Sequence, residues 1–325
     1  MNVDFCGLRL AHPVINGSGT FDAIAAGRIF GAQLTDAFPF SAYVSKTITL
    51  QPRAGNPPPR LWEASAGLIN SIGLPNKGLE SYLEEDLPRL GELGIGFGER
   101  IDGAARPPIP LITNVMGATT EELARLIEAC DARVEIAAIE LNVSCPNVNT
   151  GLDIGADPHV LAEVLRAVRD RTGKPLIVKL TPNTADVPAC AQAAEDAGAD
   201  AVSLINTLRA TALAPGSGRA WLGGGTGGLS GPAVRPVALA QVAAVAARVA
   251  IPVIGMGGVQ SAAHARELID VGATLVGVGT ESFRDPLAAS RIVEGLAEIC
   301  VPDSAFQRAA SVVPGLSQPL HRSGA

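Results

Sequence analysis

Pro175-Leu-Ile-Val-Lys-Leu-Thr-Pro182 leads into a helical pattern that stops at Gly198, and Ala201-Val-Ser-Leu-Ile-Asn206 follows. Together they make one strand–helix–strand unit. The run 176–180 is almost continuously apolar, as a strand covered on both faces must be. Pro175 stands where proline is tolerated, at the first residue of a strand. Gly198 stands where a helix ends.

Outward from this unit the same rhythm recurs. Apolar runs at 14–16, 42–46, 111–115, 139–143, 253–256 and 275–279 read as strands, making eight with 176–180 and 201–206. Helical patterns lie between them. Thr119-Thr-Glu-Glu122 forms a capping box. Asp157-Pro158 and Asp285-Pro286 each set a capping side chain before a first-turn proline. Gly173 and Gly272 are further helix stops. Eight β–α units predict a closed (β/α)8 TIM barrel. It is expected to form a single domain over 1–325, with a weakly patterned tail after Pro302.

Three segments break the rhythm. Residues 3–10 read as a hairpin turning at Cys6-Gly7 and capping the barrel bottom. Residues 47–78 and 207–228 are long Gly- and Pro-rich insertions after strands. Loops of that length in a compact domain tend to be functional, and these two are expected to cover an active site. Residues 94–108 precede a strand and read as a surface loop.

Bulk composition narrows the function. With 47% hydrophobic residues, the chain has enough apolar surface for one large core. A formal net charge of −7 without any basic run argues against nucleic acid and anionic membranes as partners. No run of about 18 apolar residues appears, and the N-terminus lacks the basic-then-apolar pattern of a signal peptide. The five cysteines, Cys6, Cys130, Cys145, Cys190 and Cys300, are scattered without a Cys-x-x-Cys pair. A cytoplasmic protein without a metal site of its own is expected.

Chemistry in such barrels sits at the C-terminal ends of the strands. There the chain places Glu140-Leu-Asn-Val-Ser-Cys-Pro-Asn147, with two carboxamides flanking a thiol. Asn70, Asn114, Asn142, Asn147 and Asn206 all fall at strand ends or in the first insertion. A single asparagine there would read as a turn-former; five at one rim suit a planar ring with lactam edges. Lys46 and Lys179 end the second and fifth strands. A lysine in an apolar strand is costly unless paired, so both point to an anion or cofactor. Gly255-Met-Gly-Gly-Val259 and Gly277-Val-Gly-Thr280 end strands seven and eight, the usual place for a phosphate in this fold. None of the four histidines ends a strand, which leaves Cys145 as the titratable candidate.

These residues, with Asn16-Gly-Ser-Gly19, Ser45-Lys-Thr47, Asn70-Ser-Ile-Gly-Leu74, Val178-Lys-Leu-Thr-Pro182, Ile205-Asn-Thr207 and Gly228-Leu-Ser-Gly-Pro232, resemble the FMN-binding dihydroorotate dehydrogenases. The likeness runs in order from about Val3 to Gly295. Cysteine within Asn-Val-Ser-Cys-Pro-Asn resembles the soluble class, and Asn206-Thr207 and Pro146–Gly151 resemble the catalytic subunit of its NAD-linked, two-subunit branch. Gly17 replaces the family's usual alanine.

The resemblance implies oxidation of (S)-dihydroorotate to orotate in de novo pyrimidine synthesis. It makes Cys145 the general base. It assigns Asn142, Asn147, Asn206 and Thr207 to the pyrimidine ring, and Lys46, Asn70, Ser71 and the backbone of Ile72, Gly73 and Leu74 to the carboxylate. FMN would be held by Ser18, Lys46, Thr47, Asn114, Asn142, Lys179, Ile205 and Gly231, with Gly257, Gly258, Gly279 and Thr280 on its phosphate. A homodimer, and a partner subunit carrying FAD and a [2Fe-2S] cluster, are also implied. A dihydropyrimidine dehydrogenase-like enzyme acting on uracil-type rings is the rival, and Lys46 discriminates because uracil carries no carboxylate. A non-catalytic phosphate-binding barrel is the other alternative, against which Cys145 between two asparagines argues.

Overall fold

The computed structural model describes residues 1–96, 107–143 and 154–299. Its strands are β1 (Val3–Phe5), β2 (Leu8–Leu10), β3 (Val14–Asn16), β4 (Tyr43–Val44), β5 (Leu61–Ala64), β6 (Gly67–Asn70), β7 (Leu111–Val115), β8 (Ile136–Asn142), β9 (Leu176–Lys179), β10 (Ala201–Leu204), β11 (Leu208–Ala210), β12 (Gly227–Ser230), β13 (Val253–Met256) and β14 (Leu275–Val278). Eight of them form one sheet in the order β3-β14-β13-β10-β9-β8-β7-β4. Every pairing within it is parallel. These are the eight strands expected from the sequence.

The ladder stops between β4 and β3, and a side chain closes the ring there. The Asn16 carboxamide donates to the Val44 carbonyl at 2.7 Å and accepts from the Val44 N–H at 2.8 Å. One backbone bond, from Ser41 N–H to the Val14 carbonyl at 3.0 Å, supports the same seam. Asn16 is fully buried, so neither group of Val44 has water as a substitute.

Alternate residues of each strand face the barrel interior. Ile15, Val44, Ile112, Ala138, Ile177, Ala201, Ile254 and Leu275 form one interior cluster with Phe5 and Leu10. The hairpin of β1 and β2 therefore plugs the barrel from below, as expected. The opposite strand faces pack under the helices in a second, larger cluster. Three of the expected caps are present. Thr119 Oγ1 accepts from Glu122 N–H, although the Glu122 carboxylate returns to Ala118 rather than to Thr119. Asp157 accepts from His159 and Val160 N–H. Asp285 accepts only from Leu287 N–H, ahead of a helix that begins at Ala288.

Three expectations need correction. The insertions 47–78 and 207–228 are not loops throughout: they supply β5, β6, β11 and β12, an antiparallel sheet ordered β11-β12-β6-β5. Glycine hides this pairing in the sequence. A Cβ on Gly67 would lie 2.0 Å from the Ser230 carbonyl oxygen, so only glycine allows that approach. The segment 94–108 is no mere surface loop, since buried Ile95 pairs with buried Ile109 across it; residues 97–106 lie outside the described residues. Strand β4 ends at Val44, so Lys46 stands beyond it rather than within it.

Asn16→Ala should lower stability by roughly 2–5 kcal/mol in urea unfolding, because it strands two buried backbone groups, each costing about 1–3 kcal/mol. A loss below about 1 kcal/mol would mean that the Ser41 bond carries the seam unaided.

Candidate active site

At the C-terminal end of the barrel the interior turns polar. Following the inward parity of Ile112, Ala138, Ile177 and Ala201, the next inward residues are Asn114, Glu140, Lys179 and Ser203. Register confirms their adjacency: Asn114 pairs with Glu140, Asn142 with Lys179, and Lys179 with Ser203. All five are buried, Lys179 to 7% exposure and Glu140 to 2%. The Asn142 carboxamide donates to Thr47 Oγ1 at 3.2 Å.

Glu140 was not among the residues singled out from sequence. Burial raises its pKa, while Lys179, Ser203 and Asn114 each work against that rise. Ser203 Oγ donates to Glu140 Oε1 at 3.3 Å. Asn114 lies close enough to favour the carboxylate, but neither its nitrogen nor its oxygen reaches a hydrogen-bond partner in the fold. A carboxamide with both atoms buried and unsatisfied is unusual. Its donor and acceptor fit the lactam edge of a planar ring.

The rim above this layer comes from loops. Ser18 Oγ donates to the Ser45 carbonyl at 2.8 Å, tying the first loop to the second. Lys46 has an exposed side chain, and partial burial lowers its ammonium pKa, opposed by Asp22 and assisted by Arg60. The Asn70 side chain donates to the Gly228 carbonyl at 3.3 Å. Beyond it, Gly73 has φ 75° and Leu74 has φ 55°. A leucine in the left-handed region is strained, and such strain gathers at ligand sites. Asn56 steadies this turn. Its side chain donates to Ser71 Oγ at 2.9 Å, and its N–H donates to the Ile72 carbonyl at 3.0 Å.

Opposite, Asn206 Oδ1 accepts from Thr207 N–H at 2.8 Å. Asn183, a residue sequence reasoning passed over, donates to the Thr207 carbonyl and accepts from Arg209 N–H. It fixes the start of β11. Its position in the loop after β9, level with the next strand's end, was the available signal.

The glycines also converge. A Cβ on Gly258 would lie 2.9 Å from the Gly231 carbonyl oxygen, one on Gly257 would lie 3.3 Å from Ile205, and one on Gly231 would lie 3.5 Å from Thr280. Thr280 Oγ1 donates to Ser230 Oγ at 2.9 Å. A Cβ on Gly279 would make ordinary contact with Thr20 at 3.6 Å. Glycine thus lets these turns pack closely against one another, at the end of the barrel where folds of this kind hold phosphate. The orphaned Asn114 carboxamide and the glycine turns at Gly231 and Gly258 are the features against which a flavin mononucleotide can be matched. Cys145 and Asn147 lie outside the described residues.

A family model described as "Dihydroorotate dehydrogenase" matches residues 1–300. The chain is 45% identical over 297 residues to a protein of Trichlorobacter lovleyi, covering 91% of this chain and 92% of that one. It is 41% identical over 320 residues to one of Citrifermentans bemidjiense, covering 97% and 98%. Both relatives are described as "Dihydroorotate dehydrogenase B (NAD(+)), catalytic subunit". A solved structure from Eimeria tenella, of DHODH in complex with ferulenol, superposes with a TM-score of 0.71 at 23% identity, covering 92% of this chain and 84% of that one. That likeness speaks for the barrel.

Asn114→Leu should leave the apoprotein as stable or more stable in urea, because it removes two unsatisfied buried atoms. FMN uptake, followed by fluorescence quenching during titration into apoprotein, should weaken at least about tenfold, or about 1.4 kcal/mol. Unchanged uptake would remove Asn114 from the ring site.

Proposed function

The chain belongs to the dihydroorotate dehydrogenase family, and from that premise we propose that it oxidises (S)-dihydroorotate to orotate as the catalytic subunit of an NAD-linked enzyme of pyrimidine biosynthesis. The observation that carries this reading is the pairing of a buried polar layer with glycine turns at one barrel end. Such a site takes a flat ring and a phosphate together. FMN, when bound there, supplies the hydride acceptor.

The chain's own residues do the rest. Cys145 takes the proton from C5 of the substrate. Asn142, Asn147, Asn206 and Thr207 orient the pyrimidine ring through paired donors and acceptors. Lys46, Asn70, Ser71 and the turn Ile72–Leu74 receive the carboxylate. Positive φ at Gly73 and Leu74 suits a turn that offers backbone N–H groups to an anion. Lys179 would hold a positive charge near the flavin ring and stabilise the negative charge that reduction brings. Ser18, Thr47, Asn114, Ile205 and Gly231 would complete FMN binding. Gly257, Gly258, Gly279 and Thr280 take the phosphate.

The relatives' description as a catalytic subunit supports a second subunit, which would carry FAD and a [2Fe-2S] cluster and take electrons onward. Among the described residues no group of three or more His, Cys, Asp or Glu is placed to hold a metal ion. No described helix is long and apolar enough to cross a membrane. A homodimer of this chain working in the cytoplasm completes the reading.

Anaerobic mixing with dihydroorotate should bleach the flavin of the purified chain, and NAD⁺ alone should reoxidise it poorly. Cys145→Ala should bleach about 10²–10⁴-fold more slowly at neutral pH with FMN still bound. Bleaching at the native rate would dismiss Cys145 as the base. Lys46→Ala should weaken orotate by roughly 2–5 kcal/mol, read from flavin absorbance, because it leaves the carboxylate without its cation. Uracil binding should change little; equal losses for both ligands would assign Lys46 to the flavin or the fold.

A further inference from the structure

We propose that Glu140 is a positioning residue acting through Lys179: an ionised counter-charge beneath the ring site that sets how much positive charge the lysine delivers to the flavin. This rests on the function proposed above. Glu140 is on β8 and Ser203 on β10, with β9 between them. Yet Ser203 Oγ donates to Glu140 Oε1 at 3.3 Å. The carboxyl group therefore reaches past β9, whose Ile177 is its register partner, and lies one inward position below Lys179.

The four residues around this point are 0–7% exposed. Lys179 is the cation whose field acts on Glu140. Among the described residues the two form no ion pair within 4 Å, so they act as separated charges across a dry barrel end. Low local polarity makes that interaction stronger than it would be in water. A lysine alone at the ring edge would favour the negative charge that develops on reduction to its full extent. A carboxylate beneath it subtracts from that effect.

The pair also makes the charge of Glu140 conditional on Lys179. Burial without Lys179 would leave Glu140 protonated, since an isolated charge in an apolar site neutralises. Removing the lysine should therefore silence the glutamate as well. A merely structural Glu140 would show no such dependence.

The test is the midpoint potential of bound FMN, measured at neutral pH by equilibration with a reference dye, in the native chain and in a double-mutant cycle. Glu140→Gln keeps volume and polarity but removes the charge. It should favour reduction about tenfold, a shift of about 30 mV upward for a two-electron couple. Lys179→Met should shift the potential downward. In the Lys179→Met background, Glu140→Gln should change nothing further. Ser203→Ala, which removes the hydrogen bond to the carboxylate, should shift the potential upward by less, and serves if the Gln variant does not fold.

An unchanged potential in Glu140→Gln or in Ser203→Ala, or an equal shift in both lysine backgrounds, would overturn the proposal. If dihydroorotate fails to bleach the native flavin, the proposed function falls, while the dye-measured potentials still decide the charge pair.

Discussion

Only every second residue of a strand faces the inside of a closed parallel barrel, and that interior holds no bulk water. Each inward residue must therefore be apolar or find a partner within the ring. This chain obeys the rule from the bottom upward until Asn114, whose carboxamide is left without a hydrogen-bond partner. Phe5 and Leu10 seal one end, and branched aliphatic residues and alanines fill the middle. At the C-terminal end the same inward positions become Asn114, Glu140, Lys179 and Ser203. The site exists because the strands stop being apolar together, at one level and on one face.

The ring and the second sheet are held by different means. The ring closes at its β3–β4 seam through a side chain that imitates a backbone, Asn16 against Val44. A short β4 of two residues could not supply a full ladder on both edges. The second sheet is built from the two insertions that follow β4 and β10. Its strands lie so close that glycine is needed where they touch, as at Gly67 beside Ser230. The T-shaped pair Trp62 and Trp221, with centroids 5.4 Å apart, joins the two insertions on that sheet.

Electrostatics at the site follow from burial rather than from crowding. Lys46 has an exposed side chain on the rim, although partial burial lowers its ammonium pKa. Lys179 is sunk into the wall with Glu140 beneath it, a costly arrangement that makes sense only if the local field has a use. Burial raises the Glu140 pKa while Lys179 opposes the rise, so the charge state of Glu140 depends on its neighbour. Separated buried charges of this kind respond strongly to small changes in their neighbours.

Much was legible in the sequence because the signals are local. Strand runs, helix stops and the hairpin around Cys6-Gly7 depend on residues within a few positions of one another, and all eight barrel strands follow from them. Asparagines and glycines at strand ends are legible too, because parallel topology sends every such end to one rim. The roles proposed for Cys145 and Asn147 rest on the resemblance of their motif alone. What tertiary structure decided are the meetings between distant residues. Gly228 pairs with Asn70 and Asn16 with Val44, and Glu140 reaches Ser203 beneath Lys179. No local pattern encodes these contacts. Glu140 sits in an apolar run where sequence shows only a costly residue, and its partners appear once the ring closes and brings three strands to the same level.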